Sequence, residues 1–91
     1  MKAGTLGDIV LEKVAIRIRR EWKKLGRCLG VSDEKLQEID QAHNELSEKG
    51  DHMLKYWKQM QGVDATYQAL HDALLHPLVD RPDIAEKLRY Y

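Results

Sequence analysis

The chain has one cysteine, two prolines and no phenylalanine. No apolar run approaches the roughly 18 consecutive residues that a membrane span needs, so no membrane insertion is expected. With Cys28 alone, no intrachain disulfide is possible, and a reducing, cytoplasmic setting is the expectation. The N-terminus lacks the apolar stretch and small-residue cleavage site of a secretory signal. There is no CxxC, GxGxxG, Walker loop or GxSxG, which removes the common thiol-redox, dinucleotide, nucleotide and hydrolase signatures. Of the four histidines, His71 and His76 point about 140° apart on an ideal helix, which does not suit a shared metal. His43, His52, His71 and His76 read as exposed helix-end residues, and Cys28, between Leu25 and Leu29, as small apolar filler. No catalytic residue, metal site or cofactor is expected, and the chain is not read as an enzyme.

At 91 residues there is room for one domain, spanning 1–91, with 1–6 read as a disordered leader. A domain of this size buries only about 60–65% of its unfolded surface, which favours a binding face over a deep cleft. The formal net charge is zero, but the charges are sorted along the chain. Residues 1–31 carry eight Lys/Arg and three Asp/Glu, a net of +5, and residues 32–52 carry two and seven, a net of −5. Sorted in this way, the charges predict one basic and one acidic face, each attracting its opposite on another molecule.

The stretch Trp22–Ile39 predicts two short helices around a glycine turn. Trp22, Leu25 and Leu29 share one helical face, and Gly30 ends that helix in left-handed geometry. Ser32 caps the next helix, with Asp33 and Glu34 in its first turn, where negative charge suits the dipole. Upstream, Val10, Val14 and Ile18 recur every fourth residue, with Ile9, Leu11 and Ile16 beside them, and this predicts a first helix apolar around much of its girth. A third helix is expected over 33–43. The fourth runs over about 45–61, with Met53, Trp57 and Met60 inside, unless Gly50 delays its start to Asp51. Gly62 closes it, Asp64 caps a fifth helix over 65–76 that carries Tyr67, Leu70 and Leu74, and Pro77 ends that helix. Pro82 opens a short sixth with Ile84, Leu88 and Tyr91 inside. No strand alternation occurs, so the fold class expected is an all-α bundle of six short helices.

Two binding functions compete. The glycine turn followed by a capped helix also describes a helix-turn-helix, whose second helix enters the major groove. Here that helix, 33–43, has four acids and one lysine, a net of −3, which opposes the attraction to phosphates that supplies most non-specific affinity. A protein–protein module needs no catalytic group and uses complementary surfaces, so it is preferred and no nucleic-acid partner is expected.

Taken together, Trp22-x-x-Leu25-x-x-x-Leu29-Gly30, Ser32 with its acidic run and Ile39, Met53-Leu54-x-x-Trp57, Ala65-Thr66, Leu70-x-x-x-Leu74 and Ile84-Ala85-x-x-Leu88 resemble the death-domain family over about residues 8–90. The adaptors and receptors of apoptotic and inflammatory signalling, the Fas-associated adaptor among them, look most similar. The resemblance implies a six-helix antiparallel Greek-key bundle and death-domain partners, with which it builds higher-order oligomers through asymmetric contacts. In one contact the matching positions draw on Arg17, Arg20, Lys23, Lys24 and Arg27, and on Asp33, Glu34, Glu38 and Asp40. In another, Gln61, Val63 and Asp64 at the end of the fourth helix meet Asp80 and Arg81 between the fifth and sixth.

Overall fold

In the computed structural model, which describes residues 6–91, six α-helices follow one another: α1 Asp8–Ile18, α2 Trp22–Cys28, α3 Asp33–Ala42, α4 Leu46–Gln61, α5 Tyr67–Leu75 and α6 Pro82–Lys87. Single 3₁₀ turns follow α1, α4 and α6, and no strand occurs among the described residues. The all-α bundle expected from the sequence is therefore the fold observed.

The central corner forms as its local chemistry dictates. Gly30 sits at φ +90; its N–H donates to the Arg27 carbonyl at 3.1 Å, and Val31 N–H donates to the Gly26 carbonyl at 2.9 Å. These are the two bonds of a Schellman closure, and they satisfy carbonyls that the end of α2 would otherwise leave bare. Ser32 Oγ accepts from Lys35 N–H at 3.2 Å and caps α3. Trp22, Leu25 and Leu29 all face inward.

α4 is the longest helix, and α1 lies antiparallel along it. Asp8 meets Lys58 at 3.1 Å, Glu12 meets Lys55 at 3.2 Å, and Gly50 faces Ala15 and Ile18. Helix α4 is continuous from Leu46, so Gly50 does not delay its start. A methyl here would stand no closer than 3.4 Å to Ala15 and Ile18, so packing against α1 does not require glycine and the helix carries its propensity cost of about 1 kcal/mol. Trp57, Leu54 and Met53 project from α4 into a core shared with Leu11, Val14 and Ile18 of α1, Trp22 and Leu25 of α2, Leu36 of α3, Leu70 and Leu74 of α5 and Ile84 of α6. No polar or charged side chain is buried among the described residues.

Several expectations need correction. Ile9 and Ile16 are 67% and 56% exposed, because α1 is covered on one side only and these two residues, seven apart, face away from Val10, Val14 and Ile18. Met60 points outward rather than joining the inner stripe of Met53 and Trp57. Thr66, not Asp64, caps α5: its Oγ1 accepts from Ala69 N–H at 3.1 Å, while Asp64 is absorbed in the 3₁₀ turn Gly62–Asp64. That turn also moves the helix start to Tyr67. Leu6 is not leader but core, fully buried, with its N–H donating to the Ala65 carbonyl at 3.4 Å. The rest of the expected leader, residues 1–5, lies outside the described residues. The histidines are not all exposed helix ends. His52 lies within α4 and stacks on half-buried His43, with ring centroids 3.9 Å apart, and His71 is half-buried within α5.

Candidate interaction surfaces

The basic residues spread over α1, the 3₁₀ turn Arg19–Glu21 and α2, and the chain bends sharply at Arg19. The bend is braced from across the molecule. Arg81 Nη1 donates to the Ile18 carbonyl at 3.3 Å and to Glu21 Oε1 at 3.1 Å, while its other edge holds Asp83 at 3.1 Å. The bonds to Asp83 first and to Glu21 raise the Arg81 pKa, and Arg81 in turn holds the Asp83 carboxyl below its usual range.

The tight turn at Gly30 sets α2 and α3 side by side, so the basic and acidic segments meet within one molecule. Lys23 Nζ lies 3.0 Å from Asp40 Oδ2, and Arg27 Nε lies 2.9 Å from Asp33 Oδ1. Lys49 of α4 reaches Asp40 Oδ1 at 2.6 Å. Hydrogen bonds from Lys49 and then Lys23 lower the Asp40 pKa. Glu38 pairs with Lys35 at 3.0 Å. Arg17 donates to the Lys13 carbonyl and lies over the Tyr91 ring, 4.9 Å from its centroid.

Much of the charge read from the sequence is thus engaged internally. Arg19, Arg20 and Lys24 are exposed and have no ion-pair partner among the described residues; the same holds for Glu34, Asp64 and Asp80. Arg20 and Lys24 lie on the α1–α2 corner and its continuation into α2, and Glu34 lies in the first turn of α3. Asp64 follows Val63, which is 82% exposed, and Asp80 follows exposed Leu78 in the α5–α6 connection.

Sequence reasoning missed three features of this surface. Arg19 has a positive φ that composition does not reveal. The stacked pair His43–His52 lines a groove of about 260 Å³ between α3 and α4, with Lys35, Glu38, Ala42 and Tyr56 on its walls. The outward Ile9–Ile16 stripe was legible only as a seven-residue spacing opposite the core positions. Cys28 packs against the core half-buried, and burial pushes its thiol pKa up, as expected of filler. Among the described residues no group of three or more His, Cys, Asp or Glu side chains is placed to hold a metal. No described helix is long and apolar enough to cross a membrane.

The family model of the death domain matches residues 8–91. No curated protein matches the chain. The six packed helices, the two buried tryptophans and the family match agree: this chain belongs to the death-domain family, a family of protein-interaction modules.

Proposed function

We propose that this domain recruits and oligomerises signalling proteins of apoptotic or inflammatory pathways in the cytoplasm, by docking its basic corner against an acidic face of another death domain. The observation that carries this is the remainder left by internal pairing. Lys23, Arg27, Asp33 and Asp40 neutralise one another, while Arg20 and Lys24 stay exposed with no ion-pair partner among the described residues, as does Glu34. Arg17 and Glu38 border these patches. Exposed ion pairs contribute about 0–1 kcal/mol each, so several act together, and salt weakens the assembly. Because basic and acidic patches are different surfaces, the contact is heterologous and extends into open or helical assemblies that concentrate attached effectors.

A second contact, between the corner after α4 and the α5–α6 connection, is favoured by exposed apolar side chains on both: Val63 beside Gln61 and Asp64, and Leu78 beside Asp80. Arg81 is held inward by Glu21, so in this contact Asp80 and Leu78 present the loop.

The test is double charge reversal, Arg20→Glu with Lys24→Glu, followed by pull-down against candidate death domains. Binding is lost while folding stability stays within about 1 kcal/mol of wild type, as for surface changes. Retained binding removes the basic corner from the mechanism.

A further inference from the structure

Helix α1 carries two apolar stripes on opposite sides. Val10, Val14 and Ile18 are buried in the core, while Ile9 and Ile16 stand 67% and 56% exposed. Seven residues separate the two isoleucines, two turns or about 10 Å along the helix axis. A single exposed isoleucine needs no explanation, but two on one stripe, set among cations, form a patterned face.

The charges around this stripe are sorted. At about 100° per residue, Lys13 and Arg17 border it on one side, Asp8 and Glu12 on the other. Both acids are already engaged by α4: Asp8 meets Lys58 at 3.1 Å and Glu12 meets Lys55 at 3.2 Å. Lys13 and Arg17 are exposed and have no ion-pair partner among the described residues, and Arg20 continues this unpaired positive charge past the end of α1. Arg17 lies over the Tyr91 ring, which brings exposed Tyr90 near the same end of the helix. On the opposite flank a shallow groove beside Ile16 is lined by Glu12, Glu48 and Asp51.

We propose that this outward face of α1 rests on an anionic lipid bilayer. Ile9 and Ile16 enter the boundary between headgroups and acyl chains, and Lys13, Arg17 and Arg20 meet the negative headgroups. The helix lies in the plane of the interface and nothing spans the bilayer. Charge and apolarity together select this occupant. A nucleic acid would satisfy the cations but leave both isoleucines in water. An anionic bilayer satisfies both at once, and it moulds itself to a convex helix face that has no pocket to fill. Long lysine and arginine side chains lay their stems along the apolar boundary and keep their charge among the headgroups. The acids of the groove beside Ile16 are repelled by the same surface, so the domain tips toward the Lys13 and Arg17 side. This face works independently of the docking between death domains proposed above.

The test is co-sedimentation of the chain at low salt with two kinds of vesicle: phosphatidylserine and phosphatidylcholine in equal parts, and phosphatidylcholine alone. The chain pellets with the mixed vesicles and stays in solution with the neutral ones. Ile9→Ser/Ile16→Ser weakens binding about tenfold, because two apolar side chains no longer leave water. Lys13→Gln/Arg17→Gln also weakens it about tenfold, a difference that narrows as salt rises. Both double variants keep a Tm near that of wild type, since all four side chains are exposed. Equal binding to the two kinds of vesicle, or none to the mixed ones, overturns the proposal. Wild-type binding by the isoleucine variant leaves only non-specific adsorption of charge and overturns it too. Binding to duplex DNA in place of vesicles assigns the cations to a polyanion. Self-association that is lost in the isoleucine variant, with no vesicle binding, assigns the stripe to a second copy. Either of these results likewise overturns the proposal.

Discussion

Lys23 and Asp40, seventeen residues apart and from oppositely charged segments, meet at 3.0 Å inside one molecule, and Lys49 completes the cluster from α4 at 2.6 Å. Asp40 therefore ties α2, α3 and α4 together. Bonds from Lys49 first and Lys23 second hold its carboxyl below the usual range. A folded-state value below the unfolded one of about 4 contributes stability above that pH, and the contribution is lost as pH falls through the folded value. Asp83, held down by Arg81, acts with the same sign. Wild-type Tm is expected to fall as pH drops from about 5 toward 2. Asp40→Asn starts lower at neutral pH and falls less steeply. Parallel curves of Tm against pH for the two proteins would remove Asp40 from the acid response.

Two helical glycines are expected to respond oppositely to alanine. A methyl at Gly26 would stand 2.6 Å from Leu36 Cδ2 and 3.1 Å from Met53 Cγ, both fully buried side chains. Gly26→Ala should cost about 1–3 kcal/mol by overpacking. At Gly50 the same methyl meets Ala15 and Ile18 no closer than 3.4 Å. Gly50→Ala should stabilise by about 0.5 kcal/mol, since the helix gains propensity without a clash. Urea denaturation of the two variants decides the signs.

The Arg81–Glu21 pair lies sixty residues apart in sequence and only partly exposed, at 24% and 31% of the side chains. Arg81→Met should cost about 1–2 kcal/mol, because it also leaves the Ile18 carbonyl without this donor. A double-mutant cycle with Glu21→Gln should give a coupling of about 0.5–1.5 kcal/mol. Additive effects would mean the pair holds nothing.

Val63 and Leu78 project from the two sides of the proposed second contact. Val63→Lys and Leu78→Lys should each leave folding stability within about 0.5 kcal/mol, as for exposed positions. Light scattering across a salt series then separates the two contacts. Salt weakens the basic-against-acidic one, so association that persists at high salt should be lost in these variants. Unchanged association at high salt would exclude the apolar pair.

Much of this architecture was legible because its causes are local. The Trp22, Leu25, Leu29 face, the Gly30 closure and the Ser32 cap depend on residues within a few positions of one another, so spacing and side-chain chemistry suffice to read them. The family resemblance rests on the same features in series. Where two local signals competed, the neighbourhood decided: Asp64 and Thr66 both suit a cap, and the 3₁₀ turn after Gly62 took Asp64 and left the cap to Thr66.

Residue order alone suffices to identify the helices and the charge each segment carries. Which faces are covered and which charges remain is settled by how the helices pack. Ile9 and Ile16 are as apolar as Val10 and Ile18, yet no helix among the described residues covers them, since the core stripe of α1 is set by what packs on it. Lys23, Arg27, Asp33 and Asp40 carry the charges expected of them but satisfy one another across the α2–α3 turn. The physical reason is range. Helix formation and capping act within about one turn of chain, whereas burial, ion pairing and the strain held at Arg19 depend on groups such as Arg81, brought near only when the whole chain has folded.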